Sequence, residues 1–181
     1  MRSCHFRFVL LLICALYAFS PSASAQKDKR EPLTEAQMEQ IREAGIDPNA
    51  RIAFYTKFLE ERAGTIKGLI NRAKSDARSR RIDGELQDFA ALMDELGDNL
   101  DQYSDRKADL RPALKKLNES CPQWLTILKS LPGEPAFDVS RKDAIESGED
   151  LVSQANRLLT EQNTYFTAHK DEKNQQRAEP K

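Results

Sequence analysis

Cysteine, glycine, histidine and β-branched residues are all scarce in this chain, and each scarcity excludes something. Of 181 residues only 3 are Cys, 7 Gly, 2 His and 1 Trp. Cys4, Cys14 and His5 fall within the first 25 residues, leaving Cys121 and His169 alone beyond them. Residues 26–181 therefore predict no internal disulfide, no Cys–His pair for thiol catalysis and no multi-histidine metal site. Val and Ile number 10 in that stretch against 32 Leu and Ala, a balance that favours helices over strands. An excess of one charge is missing too. Residues 26–181 hold 26 basic and 29 acidic side chains, a net charge of −3, so no electrostatic case exists for nucleic acid or an anionic membrane as main partner. About 35% of them are apolar, enough for one small domain and too little for two. The sequence carries no G-x-S-x-G, P-loop, G-x-G-x-x-G or H-E-x-x-H motif.

What is present begins with an address. Arg2 and Arg7 precede an uninterrupted apolar run from Phe8 to Phe19, and Ala23-Ser24-Ala25 follows. A basic start, a short apolar run and an A-x-A site are the three parts of a secretory signal peptide. The run of 12 falls well short of the roughly 20 residues that span a bilayer. Ile13 before Cys14 does not resemble a lipoprotein cleavage box. Residues 1–25 are thus expected to be removed after Ala25, which places the protein in the periplasm or outside, with no membrane span remaining.

Residues 26–32 are polar and read as a flexible segment, and 33–169 as one helical domain. Thr34 and Gln37 have the spacing of a capping box, with Leu33 and Met38 at the staple positions, so a short helix starts here and ends by Gly45. Asp47-Pro48 opens the next as N-cap and first helical residue. Its apolar stripe reads Ile52, Leu59, Ala63, Ile66, Ile70, Ala73, Ala77, widened by Phe54, Tyr55, Phe58 and Leu69. The step of five from Ala77 to Ile82 predicts a turn across Arg78–Arg81. From Ile82 to Leu131, fifteen positions follow strict 4-3 spacing and only Lys107 among them is not apolar or aromatic. Such a seam specifies helices packed side by side. Pro112 and Pro122 predict breaks or bends within it, capped by Asp109 and by Ser120 with Gln123. Pro132-Gly133-Glu134-Pro135 ends the segment. A last helix starts at Asp138 or Ser140, with Ile145, Val152, Ala155, Leu159 and Phe166 on one face and Leu151, Leu158 and Tyr165 beside it. Residues 170–181 hold no large apolar side chain and read as a disordered tail. The expected architecture is all-α: an antiparallel bundle of three to four long amphipathic helices with short end helices and coiled-coil-like packing.

Few constellations carry chemistry. Asp94, Asp98, Asp101 and Asp105 share one helix face, but di-metal bundles use Glu and Glu-x-x-His motifs, and a solvated face is the plainer reading. Arg78, Arg80 and Arg81, and Arg111, Lys115 and Lys116, read as a charged turn and a solvated face. His169 reads as a surface residue and Cys121 as a small buried apolar one on the seam. No catalytic, cofactor-binding or metal-ligating residue is expected. Gly64 and Gly68 stand out, because each costs about 1 kcal/mol against Ala inside a helix. Their spacing suits a close helix contact, with the short N-terminal helix or with a partner.

Leu33-Thr34-Glu35-Ala36-Gln37 resembles the LTxxQ motif of small periplasmic helical chaperones of the Spy and CpxP kind. The resemblance covers five residues and implies an all-helical, exported protein that binds unfolded clients without ATP. The family's second motif finds only Leu159-Thr160-Glu161-Gln162-Asn163 here, with Gln one place early. The sequence thus points to an exported, non-enzymatic helical bundle acting through protein–protein contacts or self-association, with an ATP-independent chaperone as the alternative. If export and cleavage occur as read, mass spectrometry of the protein recovered outside the cytoplasm will find Gln26 as its first residue. A chain still beginning at Met1 would overturn the reading.

Overall fold

The computed structural model describes residues 31–169. The expected signal peptide (1–25), most of the 26–32 segment and the 170–181 tail lie outside the described residues. Five helices and no strand occur among those described: α1 (Glu35–Glu43), α2 (Pro48–Ile70), α3 (Asp76–Asp105), α4 (Arg111–Lys129) and α5 (Asp138–Ala168). None is long and apolar enough to cross a membrane.

The first two helices start as their sequences dictate. Gln37 N–H donates to Thr34 Oγ1, and the Gln37 side-chain oxygen accepts from the Thr34 N–H at 3.0 Å, a reciprocal capping box. Gly45, at φ +63°, takes the left-handed turn that ends this short segment. Asp47 Oδ1 then accepts from the Asn49 N–H, and Pro48 occupies the first turn of α2, where its missing donor costs nothing. Pro32 is buried, and its carbonyl accepts from Arg62 Nη2, so chain ahead of α1 is held against α2.

Three expectations need correction. The turn after α2 lies at residues 71–75, ahead of the Arg78–Arg81 cluster, because Ser75 Oγ accepts from the Arg78 N–H and caps α3. Ala73 and Ala77, counted into the α2 stripe, are both exposed. Secondly, of the two breaks expected in the long seam only the one at Pro112 occurs. The seam divides at 106–110, where Lys107, its one polar member, adopts φ +60°. Pro112 sits in the first turn of α4, and Asp109 Oδ1 accepts from the Arg111 N–H while Leu110 occupies the cap position. Pro122 by contrast lies inside α4, which continues through it. Its ring faces solvent, where the lost helical hydrogen bond is least costly. Ser120 is buried and donates to Glu60 Oε1 at 3.0 Å, and Gln123 donates to the Glu119 carbonyl, so neither caps a new helix. Thirdly, the buried stripe of α5 is Ala144, Gly148, Leu151, Ala155, Leu158, Gln162 and Phe166, with Ile145, Val152 and Leu159 half-buried beside it. Small residues set this rotation: a Cβ on Gly148 would stand 2.9 Å from Leu125 Cδ2 and 3.5 Å from Met93 Sδ.

The four long helices share one core containing Phe58, Phe89, Met93, Leu96, Trp124 and Leu151. Phe89 and Trp124 meet edge to face, with centroids 6.0 Å apart. Every apolar or aromatic member of the 82–131 seam is buried within the chain. Helix neighbours do not follow chain order. α2 packs against α3 and α4, and α5 likewise packs against α3 and α4, so the consecutive helices α3 and α4 are not chief partners of one another.

The connection between α3 and α4 is held by two amide side chains from the other helices. Gln162 accepts from the Leu110 N–H and donates to the Ala108 carbonyl, both at 2.8 Å. Asn49 donates to the Asp109 carbonyl at 2.8 Å and accepts from the Ala113 N–H at 3.3 Å. Replacing Gln162 by Leu leaves two backbone groups in the protein interior without these partners and is expected to cost about 2–4 kcal/mol by urea denaturation. A Gln162→Leu variant as stable as the wild type would contradict the clasp.

Candidate functional site

The polar groups that chemistry would recruit are largely engaged between helices. Arg78 is the clearest case. Sequence places it in a charged turn, yet it is 6% exposed, its Nε donates to the Leu69 carbonyl at 3.1 Å and its Nη1 lies 3.3 Å from Glu134. It thereby ties the end of α2 and the start of α3 to the α4–α5 connection. Lys74 adds a second cation 3.3 Å from Glu134. Partial desolvation pushes the Glu134 carboxyl up, but hydrogen bonds and charge from Lys74 and Arg78 outweigh it and hold the group below its ordinary value.

Between α2 and α3, Arg62 Nη1 lies 3.1 Å from both Glu85 and Asp88, and the Tyr55 hydroxyl donates to Glu95 at 2.7 Å. Burial first, and then the Glu95 carboxylate, push the Tyr55 hydroxyl well above its usual titration range. Ser140 reaches from α5 to Asp83 at 2.6 Å, and Gln154 donates to the Gly97 carbonyl at 3.0 Å. These groups position helices, and none of them is among the residues the sequence marks as functional.

Cys121 is a free, buried thiol, pushed up by burial to about 12, and is therefore protonated at neutral pH. Asp94, Asp98, Asp101 and Asp105 are all exposed, and no cluster of metal-ligating side chains occurs among the described residues. His169 is exposed and stacks on Tyr165, with ring centroids 4.5 Å apart. Lys115 and Lys116 are exposed, while Arg111 pairs with Asp109 at 2.7 Å and its guanidinium lies over Phe166. Arg80 and Arg81 are exposed on the first turns of α3.

Gly64 and Gly68 are both exposed on α2, and a Cβ added to either meets nothing within 4 Å. Neither the short helix α1 nor any other described segment rests on them. The LTEAQ residues, in turn, are accounted for by local structure: Thr34 and Gln37 form the cap of α1, and Leu33 packs partly against the core.

The amide clasp and the Arg78–Glu134 pair are the groups that sequence reasoning missed. Arg78 was masked by its neighbours Arg80 and Arg81, and Asn49 and Gln162 are single amides with no motif. A signal existed for Gln162 alone, since it falls on an apolar helix stripe between Leu158 and Phe166. No protein-family model, no curated protein and no solved structure matches this chain.

Because a methyl group at Gly64 and Gly68 enters open space, the double replacement Gly64→Ala/Gly68→Ala is expected to stabilise the protein by about 1–2 kcal/mol. Thermal denaturation measures it. No gain, or a loss, would contradict the open surroundings of these two positions.

Proposed function

We propose that this is an exported, non-enzymatic helical bundle that acts through protein–protein contacts in the periplasm or outside the cell. In this reading its four long helices form an antiparallel bundle, with α1 as a short end helix and residues 1–25 as the cleaved signal. The order of cross-links supports the antiparallel pairing: Tyr55 meets Glu95 while Arg62, further along α2, meets Glu85, earlier on α3.

One observation carries the contact reading. The seam that could have recruited another helix is consumed inside the chain, and the only large hydrophobics strongly exposed among the described residues are Ile46 and Val139. Single exposed apolar residues are ordinary on a soluble surface. Contact with another protein therefore falls to charged and polar side chains, with Gly64 and Gly68 offering a strip that a partner's helix can approach. The same observation weighs against the chaperone alternative, which calls for a broad apolar patch, and the cap accounts for its five-residue motif.

In-cell crosslinking of the tagged full sequence, with export retained and captured proteins identified by mass spectrometry, tests the assignment. One or a few reproducible partners, this chain included, is the expected result. A broad set of unrelated envelope proteins would favour the chaperone instead, and capture of nothing would overturn the contact reading.

A further inference from the structure

Helix α1 is the one described helix whose departure would leave the ties between the others in place. It buries a single residue, Ile41, where α2 to α5 bury from six to ten each. It packs chiefly on α2, and it takes no part in the amide clasp at one end of the bundle or the Arg78–Glu134 pair at the other. At nine residues it is also shorter than the ~12–15 that an isolated helix needs to hold its shape in water. Its structure therefore depends on its seat.

Two arginines mark that seat. Arg62 Nη2 donates to the Pro32 carbonyl ahead of α1, and Arg51 Nη1 lies 3.5 Å from the Gly45 carbonyl behind it. Residues 31–45 are thus fastened at both ends along one stripe of α2. Arg51, Tyr55, Phe58 and Arg62 follow 4-3-4 spacing, which sets them on one helix face, and Tyr55 and Phe58 are only 3% and 1% exposed. The fastening is incomplete. Arg51 Nε and Arg62 Nε are both buried without a hydrogen-bond partner among the described residues, and an unpaired buried donor is costly. The connection to α2 supplies a hinge: Gly45 adopts φ +63°, Ile46 is 99% exposed, and Asp47 with Pro48 fixes the start of α2 independently of α1. With the segment swung out, Arg62 keeps Glu85 and Asp88, each 3.1 Å away, and α2 stays tied to α3.

We propose that residues 31–45 are an autoinhibitory strap, which opens at Gly45 and gives up its seat on α2 to a short amphipathic helix of another protein. The strap is the template for that partner: a helix of about two and a half turns, with apolar residues spaced as Leu33, Met38 and Ile41 and with unpaired carbonyl groups at its ends for the two arginines. Charge does not select it, because Glu85, Asp88 and Glu95 already stand beside Arg62 and Tyr55. The contact is helix in groove, apolar and nearly indifferent to salt. A closed strap lowers the partner's apparent affinity by the fraction of molecules that are open. This deepens the contact reading, on which it rests, by naming one surface for it: apolar area that the closed chain keeps covered.

Two measurements on the protein purified after expression of the full sequence test it. In hydrogen exchange, the amides of α1 are expected to open on their own, while those of α2 to α5 stay protected. In fluorescence anisotropy, a labelled synthetic peptide of residues 31–45 is the probe. It is expected to bind Ile41→Asp, whose own strap is off its seat, at least about tenfold more tightly than it binds the wild type, with little change between about 0.01 M and 1 M salt. Gly45→Val leaves the seat and Ile41 untouched but strains the closed hinge at φ +63°, so it too should bind the peptide more tightly than the wild type. A peptide that binds none of the three proteins, or all three equally, would overturn the proposal, as would α1 amides protected as well as those of α2. Partners captured in cells beside a strap that never opens would overturn the strap alone and leave the contact function standing.

Discussion

Everything in this molecule's arrangement depends on how five residues between α3 and α4 are satisfied. A helix that stops in the interior leaves its last carbonyls and the next helix's first N–H groups without partners, and each such group is costly when shielded from water. The connection at 106–110 solves this with side-chain amides, which present a donor and an acceptor together. Gln162 from α5 and Asn49 from α2 each bond one carbonyl and one N–H of that segment or of the first turn after it. Both helices are thereby tied to the connection, and the chain can leave α3 and enter α4 without the two lying side by side.

The opposite end is held by a different chemistry. Arg78 supplies several donors from one planar group, and it answers the carbonyls at the end of α2 together with the carboxylate of Glu134. The amides are neutral, and the half-buried Arg111–Asp109 pair stands beside them at 2.7 Å, so partly buried ion pairs occur at both ends. Between these ends the core is of ordinary large hydrophobics, and Gly148 marks where α5 comes so close to Leu125 that an added Cβ would require the Leu125 side chain to shift.

Neighbour choice has an electrostatic consequence. Alternating the charge of successive helices places opposite signs across α2 and α3 and across α4 and α5, where Arg62–Glu85 and Lys129–Glu149 form. The same choice sets the two acidic helices side by side. At the surface the acidic excess lies on α3 and α5, while the exposed charges of α1, α2 and α4 cancel.

Much was legible without coordinates. Helix content followed from composition, and the starts of α1 and α2 from Thr34 with Gln37 and Asp47 with Pro48, because capping is decided by residues within one turn of each other. The seam from Ile82 to Leu131 correctly marked buried positions, because periodicity reports which face turns inward. It failed to report where the helix stopped, since Lys107 and Leu110 keep the spacing while the backbone leaves the helix. The start of α3 was misplaced because Ala73 and Ala77 are too small to reveal a face and Asn71–Ser75 contains neither Gly nor Pro. Nor could the roles of Asn49, Arg78 and Gln162 be read: their partners lie from 8 to 64 residues away, in segments whose adjacency is decided by the packing of the whole chain. Local order, then, was written in local sequence. Which helices became neighbours, and hence which charges share a face, was settled only when the core closed, because those contacts join segments far apart in the chain.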